Sequence, residues 1–248
     1  MKITSTEAQN NFGRYLKLAQ FEEIIVTKNG KKAAVLKAYE EQRPDYPNVA
    51  EKAEAYDWKS ENISYEDFLK LAEESDKRYE YIDGEVYLLA SPSYSHQNIV
   101  MEISNIMYNR FKGKKCRPLT APFDITLTID ECKNVVQPDI MVICDTENIN
   151  DKGKYLGIPT LVVEVLSDST RQKDLLKKVN LYFYGGVKEY WIVNPSRQEV
   201  YLYYFEEQDI KEYRVYKGNE TVQSITFEGL EVPLERIFDG FKSLEERK

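Results

Sequence analysis

The sequence predicts an α/β protein in which a mixed sheet is flanked by helices and preceded by a small αβ module. Three observations carry this expectation. Leu161-Val162-Val163-Glu164-Val165-Leu166 is almost wholly apolar, as in a central strand covered on both faces. Stretches with helical period, such as Ser95 to Phe111, alternate with short β-branched runs. The charge is also uneven. Residues 1–42 hold seven Lys/Arg and five acids in a chain of net charge −8, so a basic head precedes an acidic body.

The head reads in order. Ile3-Thr4 is a strand candidate. Thr6 and Gln9 have capping-box spacing and open a helix with Ala8, Phe12, Leu16 and Ala19 on one face. Glu23 to Thr27 and Lys32 to Leu36 are strands joined by Asn29-Gly30, a strong hairpin turn. The string Ile3-Thr4-Ser5-Thr6-Glu7-Ala8, Asn11-Phe12, Tyr15-Leu16, Ile24 to Gly30 and Ala34-Val35-Leu36 resembles the N-terminal domain of Phd/YefM-type antitoxins. That resemblance implies a dimerising module able to bind operator DNA and to meet a toxin partner. Lys2, Arg14 and Lys17 are its candidate phosphate contacts. A cap that only dimerises or packs on its neighbour is the other reading. Forty residues bury too little core to stand alone, so dimerisation or docking is expected. The module spans residues 1–44, a linker with mixed charge follows at 45–57, and the body occupies 58–248.

In the body, Ser64 caps a helix through Leu71, and Asp83-Gly84 turns a hairpin from Tyr79–Ile82 to Glu85–Leu89. Ser95 to Phe111 is a helix, and Phe123 to Ile129 alternates as a half-buried strand. Gln137-Pro138-Asp139 separates Val135-Val136 from the apolar run Ile140 to Ile143. Ser169 or Thr170 caps a helix that ends at Gly185-Gly186. Tyr190 to Val193 is a buried strand, Glu199–Tyr204 and Tyr213–Tyr216 are edge strands, and an apolar tail closes the chain.

Composition excludes several chemistries. With His96 as the single histidine, a two-histidine zinc site and a two-imidazole acid–base pair are impossible. Cys116, Cys132 and Cys144 are odd in number and widely spaced, and are expected as reduced thiols. No apolar run approaches the roughly 20 residues of a membrane span, and the N-terminus lacks a signal-peptide core. The expectation is a cytoplasmic protein without a membrane partner. Net charge −8 argues mildly against sequence-independent nucleic-acid binding.

Carboxylates and lysines must therefore carry any hydrolytic chemistry. Glu164 stands mid-strand among apolar residues, where an acid is costly unless a metal or partner compensates it. Asp139 opens another apolar strand. Two such carboxylates, with the Val165 carbonyl, suit a hard cation such as magnesium, with manganese as a substitute. The competing reading makes Glu164 a buried ion-pair partner and Asp139 a turn residue.

The motifs Gln137-Pro138-Asp139-Ile140, Val163 to Ser167 with Ser169-Thr170-Arg171, Asp174-Leu175-x-x-Lys178 and Glu189-Tyr190-Trp191 look like the Uma-type putative restriction endonuclease family, which is similar to PD-(D/E)XK nucleases. Upstream, Arg78-Tyr79-Glu80, Ile82 to Glu85, Ser91-Pro92 and His96 fit as well. The resemblance implies a restriction-endonuclease-like sheet and a catalytic set of Glu80, Asp139, Glu164 and a lysine. It departs from the pattern at Leu166, where such enzymes carry that lysine. Lys178 matches the family position on the next helix and flanks its apolar face, whereas Lys177 points away into solvent. His96 and Arg171 are candidate supporting or phosphate-contacting groups. The function expected is magnesium-dependent DNA cleavage by a homodimer. The alternatives are an antitoxin-like regulator with a silent nuclease-like body, and a nuclease acting on RNA or structured DNA.

Overall fold

The computed structural model describes residues 2–12, 15, 19, 24–37, 63–167 and 173–245. The chain divides into two compact units, residues 1–56 with 169–178, and residues 57–168 with 179–248.

In the first unit, β1 (Lys2–Thr4) runs parallel to β2 (Ile24–Lys28), which pairs antiparallel with β3 (Lys31–Leu36). Asn29 and Gly30 both take positive φ, the geometry of the tight hairpin turn that an Asn-Gly pair favours. Helix α1 (Ser5–Asn10) starts two residues earlier than the Thr6–Gln9 spacing suggested. Its capping box uses Thr4, whose Oγ1 accepts from Glu7 N at 3.2 Å while Thr4 N donates to Glu7 Oε2 at 2.9 Å. A charged carboxylate at this position also suits the helix dipole, which Gln9 could not do. Ile3, Ala8, Tyr15, Ala19, Ile24 and Val26 are buried, and Phe12 is half exposed. Tyr15 thus takes the inner place expected of Phe12. Leu16, Arg14, Lys17, the linker and the Ser169–Arg171 turn lie outside the described residues.

The second unit is built around a four-stranded and a six-stranded sheet. Along the first lie β4 (Tyr79–Ile82) and β5 (Glu85–Leu88), then β7 (Ile125–Ile129) and β8 (Cys132–Val136), in the order β5-β4-β8-β7. Helix α2 (Tyr65–Glu74), capped by Ser64, lays Phe68 on Tyr81 of this sheet at 4.9 Å between ring centres. The second sheet is six-stranded and mixed. It is built from β6 (Arg117–Thr120), β9 (Ile140–Ile143), β10 (Leu161–Val165), β11 (Glu189–Asn194), β12 (Glu199–Glu206) and β13 (Asp209–Lys217), in the order β13-β12-β11-β10-β9-β6. Strand β10 is fully buried and central, as its apolar run requires, and is parallel to β11 but antiparallel to β9.

Strand β12 is not an edge. It sits between β11 and β13, with Val200 and Leu202 buried on one face and Tyr201, Tyr203 and Phe205 on the other. Strand β6 was hidden from sequence reading by Pro118, and it lies at an edge, where a missing backbone donor costs least. Helices α3 (Tyr94–Phe111) and α5 (Leu234–Glu245) share a core with the sheet, in which Ile99, Ile103 and Met107 meet Val163, Trp191 and Ile237. Each of these buried side chains contributes roughly 1.5–3 kcal/mol. Helix α4 (Lys173–Tyr184) stops as its glycines foretell. Gly186 has positive φ, and Val187 N reaches back to Tyr182 O at 3.0 Å. A short antiparallel ribbon, β14 (Thr221–Gln223) with β15 (Glu231–Pro233), leads into α5.

The cysteines correct an expectation. Cys116 and Cys144 form a disulfide and Cys132 is the free, exposed thiol. The pairing of Arg117 with Ile143 across β6 and β9 sets the two neighbouring cysteines face to face, which wide spacing along the chain concealed. Among the described residues, no helix is long and apolar enough to cross a membrane.

Candidate active site

The segment Gln137-Pro138-Asp139 crosses from the four-stranded sheet to the six-stranded one, because β8 ends at Val136 and β9 begins at Ile140. This crossing collects the predicted acids of the second unit. Tyr81 pairs with Val135, so the preceding residue of β4, Glu80, stands beside the crossing. Its buried carboxylate accepts from Gln137 N at 3.0 Å. Gln137 in turn donates its side-chain amide to Asp124 at 2.8 Å.

Asp139 is the junction. Its Oδ2 accepts from Val165 N at 2.8 Å and lies 3.1 Å from His96 Nε2. One carboxylate oxygen therefore ties the start of β9 to the end of β10 and to the first turn of α3. The other oxygen, Oδ1, makes no hydrogen bond among the described residues. His96 is placed by Ser93, whose hydroxyl caps α3 by accepting from His96 N. Burial pushes the His96 imidazole down, but the Asp139 hydrogen bond, the charges of Asp139 and Glu164 and the nearby Val165 backbone outweigh it. The ring is held above its ordinary pKa.

Glu164 is buried within β10. Because Val163 pairs with Ile140, extending the register by one residue sets Glu164 across from Asp139. Tyr182 donates its hydroxyl to Glu164 Oε1 at 2.6 Å. Burial and the charges of Glu164 and Glu80 push the Tyr182 phenol well above its ordinary range, so it acts as a donor and not as a phenolate. Tyr190 packs on Tyr182 at 4.8 Å, and burial, Glu164 and Asp139 raise it as well.

A hard divalent cation asks for oxygen ligands, and these acids offer them in part. Among the described residues, no group of three or more His, Cys, Asp or Glu side chains is disposed to cage a metal. A site with two carboxylates does fit. Asp139 and Glu164 share one register position and supply oxygen donors, and the partly buried Asp139 side chain keeps one oxygen without a hydrogen bond among the described residues. His96 Nδ1, Gln137 Oε1 and Tyr190 Oη are buried polar atoms without hydrogen-bond partners among the described residues, which marks the surroundings as polar but incompletely satisfied. Magnesium keeps several waters and needs few protein ligands, so two carboxylates and a backbone carbonyl are chemically sufficient.

The other predicted residues fall as follows. Val165 is the buried end of β10 and holds Asp139 through its N–H. Leu166, the position where the sequence resemblance expects a lysine, is buried. Lys178 and Lys177 are both half-buried on α4, so the expected solvent orientation of Lys177 is not what the helix presents. Lys178 belongs to the smaller unit with residues 1–56. Lys2 is exposed on β1. Arg171 is outside the described residues. Sequence reading assigned Tyr182 to an apolar helix face and did not foresee its bond to Glu164. The available signal was a tyrosine among leucines and phenylalanines on that face, since a buried phenol needs a partner. The amide of Gln137 was equally unforeseen, and no residue pattern announces a backbone donor.

Comparison with known proteins agrees with this architecture. The model of the family described as Uma2, putative restriction endonuclease, matches residues 65–235, and the Phd/YefM antitoxin model, from type II toxin–antitoxin systems, matches residues 1–44. Two Synechocystis proteins described as uncharacterized are similar. Slr1290 is 30% identical over 143 residues, 57% of this chain and 74% of that protein. Sll1609 is 26% identical over 117 residues, 47% of this chain and 65% of that protein. A crystal structure from Anabaena variabilis, described as a putative nuclease belonging to DUF820, superposes with TM-score 0.59 at 23% identity, covering 71% of this chain and 98% of that one. At that identity the likeness shows the fold alone. The chain thus belongs to the Uma2 family of putative restriction endonucleases and carries a Phd/YefM antitoxin domain at its N-terminus.

Proposed function

We propose that the protein is a metal-dependent DNA endonuclease whose antitoxin-like head dimerises or targets it. The observation that carries the reading is the capture of Asp139 by the N–H of Val165, the residue that follows Glu164. It fixes one acid beside the other at the crossing between the two sheets. Magnesium, when bound, would polarise the scissile phosphate and acidify a bound water.

The chain's own residues then have separable tasks. Asp139 Oδ1 and Glu164 would hold the ion, with the Val165 carbonyl as a third oxygen. His96 and Val165 N fix the orientation of Asp139. Tyr182 donates to Glu164 Oε1 and would fix the orientation in which that carboxylate meets the ion. Glu80, fixed by Gln137 N, is the additional acid that orients water or takes its proton. Lys178 is assigned as the cation that supports attack by its place in the Asp174-Leu175-x-x-Lys178 motif, and Arg171 as a phosphate contact. Lys2, Arg14 and Lys17 are assigned to phosphate contacts of the head. DNA, a second copy of the chain and a toxin are the partners this reading names. Cytoplasmic location belongs to the same proposal, although a Cys116–Cys144 disulfide would be disfavoured by a reducing cytosol.

The test is plasmid cleavage by the full chain with magnesium, manganese or EDTA, run beside Glu164→Ala. Metal-dependent nicking or linearisation that the folded variant lacks would support the nuclease. Absence of cleavage with either metal would favour a second reading, a DNA-binding regulator with a silent body. The buried Leu166 keeps that reading in play. Cleavage confined to RNA or to branched DNA would change the substrate class and leave the site intact.

A further inference from the structure

Helix α3 has a second face that the core does not use. Ile99, Val100, Ile103 and Met107 point into the sheet, whereas Tyr94, Met101 and Tyr108 are 70%, 68% and 58% exposed. These three are spaced by seven residues, so they form one stripe along the helix, spread over only about 40° of arc. We propose that this stripe is a self-association surface, on which a second copy of the chain docks α3 against α3 in antiparallel orientation around Met101.

Charge selects the occupant. The chain is 31% charged and carries net charge −8, so two copies repel wherever their charged surfaces meet. The stripe and the positions between its large residues, Gln97, Asn98, Ser104 and Asn105, contain no charge. The nearest acid, Glu102, is already paired with Arg236 at 2.8 Å. Between Tyr94 and Tyr108 the stripe lacks the cations a nucleic acid requires, Lys112 and Arg117 lying past its end beside a cavity, and a strongly charged protein partner would find no complement there. An uncharged face matches another uncharged face.

Symmetry selects the register. Read outward from Met101, the helix meets a small polar pair (Asn98 and Gln97 on one side, Ser104 and Asn105 on the other) and then a tyrosine. An isologous two-fold contact requires such a palindrome, because each residue must suit its mirror position on the partner. Around Met101 the two methionines would meet on the axis, and Tyr94 of each copy would face Tyr108 of the other. Beside Tyr108 lies a cavity of about 200 Å³, lined by Phe111, Lys112, Gly113, Arg117 and Pro118. It is of a size to receive a tyrosine side chain, with the Lys112 ammonium available to the ring. Two helices alone bury less than the roughly 1,200–2,000 Å² of stable interfaces, so tyrosines seated at both ends supply anchors the pair would otherwise lack. The association is expected to be weak and in fast exchange.

The experiment is cysteine cross-linking of the full chain in a Cys132→Ser background, which removes the exposed native thiol. Met101→Cys should form covalent dimers several-fold faster than Glu73→Cys, an exposed control on α2. Mixed Tyr94→Cys and Tyr108→Cys proteins should cross-link to each other. Tyr94→Cys alone should not, since its two copies would stand about 21 Å apart along the axis. Equal yields at positions 101 and 73 would overturn the surface. Cross-linking of Tyr94→Cys to itself as readily as to Tyr108→Cys, or cross-linking at 101 without the 94-to-108 product, would overturn the antiparallel register. All three positions are solvent-exposed, so the substitutions leave the core intact, and dimerisation by the head does not produce this pattern.

Discussion

Glu189, fully buried, and Asp139, whose side chain is 19% exposed, are two acids of one six-stranded sheet region, and they meet opposite fates. Glu189 is fully buried at the start of β11. Its Oε1 accepts from Trp191 Nε1 at 2.6 Å, and its Oε2 accepts from Ser224 Oγ, Ile225 N and Thr226 N at 3.0, 3.1 and 2.7 Å. Both oxygens are consumed in fastening the 224–226 loop to the sheet. Asp139 instead places both of its hydrogen bonds on one oxygen and leaves the other unbonded among the described residues. Burial alone does not mark a functional acid. What separates a latch from a site is whether the chain itself has used both carboxylate oxygens.

The sharpest way to break this comparison is to neutralise each acid in turn. Asp139→Asn should lower cleavage about a thousandfold, ~4 kcal/mol of barrier, because it removes the charge that would hold the ion. Its unfolding free energy should stay within about 1.5 kcal/mol of wild type, since an amide oxygen can still accept from Val165 N. Glu189→Ala should do the reverse. It orphans four buried or half-buried donors and should cost about 3–5 kcal/mol in urea unfolding, with cleavage per folded molecule little changed. If both variants lost stability and activity alike, the distinction between latch and site would collapse.

The same contrast explains what could be read from residues alone. The apolar run of β10, the Asn29-Gly30 and Asp83-Gly84 hairpins and the Gly185-Gly186 stop are local signals, and each forms where expected. Glu164 and Asp139 were legible as oddities, acids set in apolar strands. Their partners were not. Val165 N, Gln137 N and Tyr182 are brought in by sheet register and helix docking, which leave no mark on spacing. Glu189 belonged to a recognisable Glu-Tyr-Trp motif, but its task depends on a loop 35 residues later in the chain. The Cys116–Cys144 bond was missed for the same reason, since β6 itself was obscured by its proline. The start of α1 was misread because Thr6 and Gln9 have the same spacing as the capping pair Thr4 and Glu7, and Phe12 because an apolar periodicity set it on the inner face.

A smaller effect is expected at the tyrosine that serves Glu164. Tyr182→Phe removes the hydroxyl that donates to Glu164 Oε1. If that bond orients the carboxylate for the ion, the variant should need about tenfold more magnesium for half-maximal cleavage, or ~1.4 kcal/mol, with a nearly normal rate at saturation. A merely structural role would lower stability and leave the magnesium dependence where it was. The outcome places Glu164 with Asp139 or moves it toward Glu189.

A second pairing of a phenol with a carboxylate tests the latch reading elsewhere in the fold. Tyr155, buried, donates to Asp145 Oδ1 at 2.5 Å in the loop after β9, and Asn148 donates to Oδ2 at 2.7 Å. Burial opposes ionisation of Asp145, but the bonds from Tyr155 and Asn148 outweigh it and hold its pKa below the usual carboxylate value. Gly157 leaves the room for this contact, since a Cβ there would stand 2.3 Å from Asp145 Oδ2. A depressed folded pKa gives stability that is present above the unfolded carboxylate value of about 3.9 and lost as pH falls through the folded one. Tyr155→Phe should therefore cost about 1 kcal/mol near neutral pH, the worth of one hydrogen bond to a charged group in a partly exposed place. Below the folded pKa the part of this cost that comes from the charge should vanish, so the wild-type and variant unfolding curves should draw together in acid. A gap that stayed constant across the acid range would assign Tyr155 to packing, and the carboxylate would then be a bystander in its own loop.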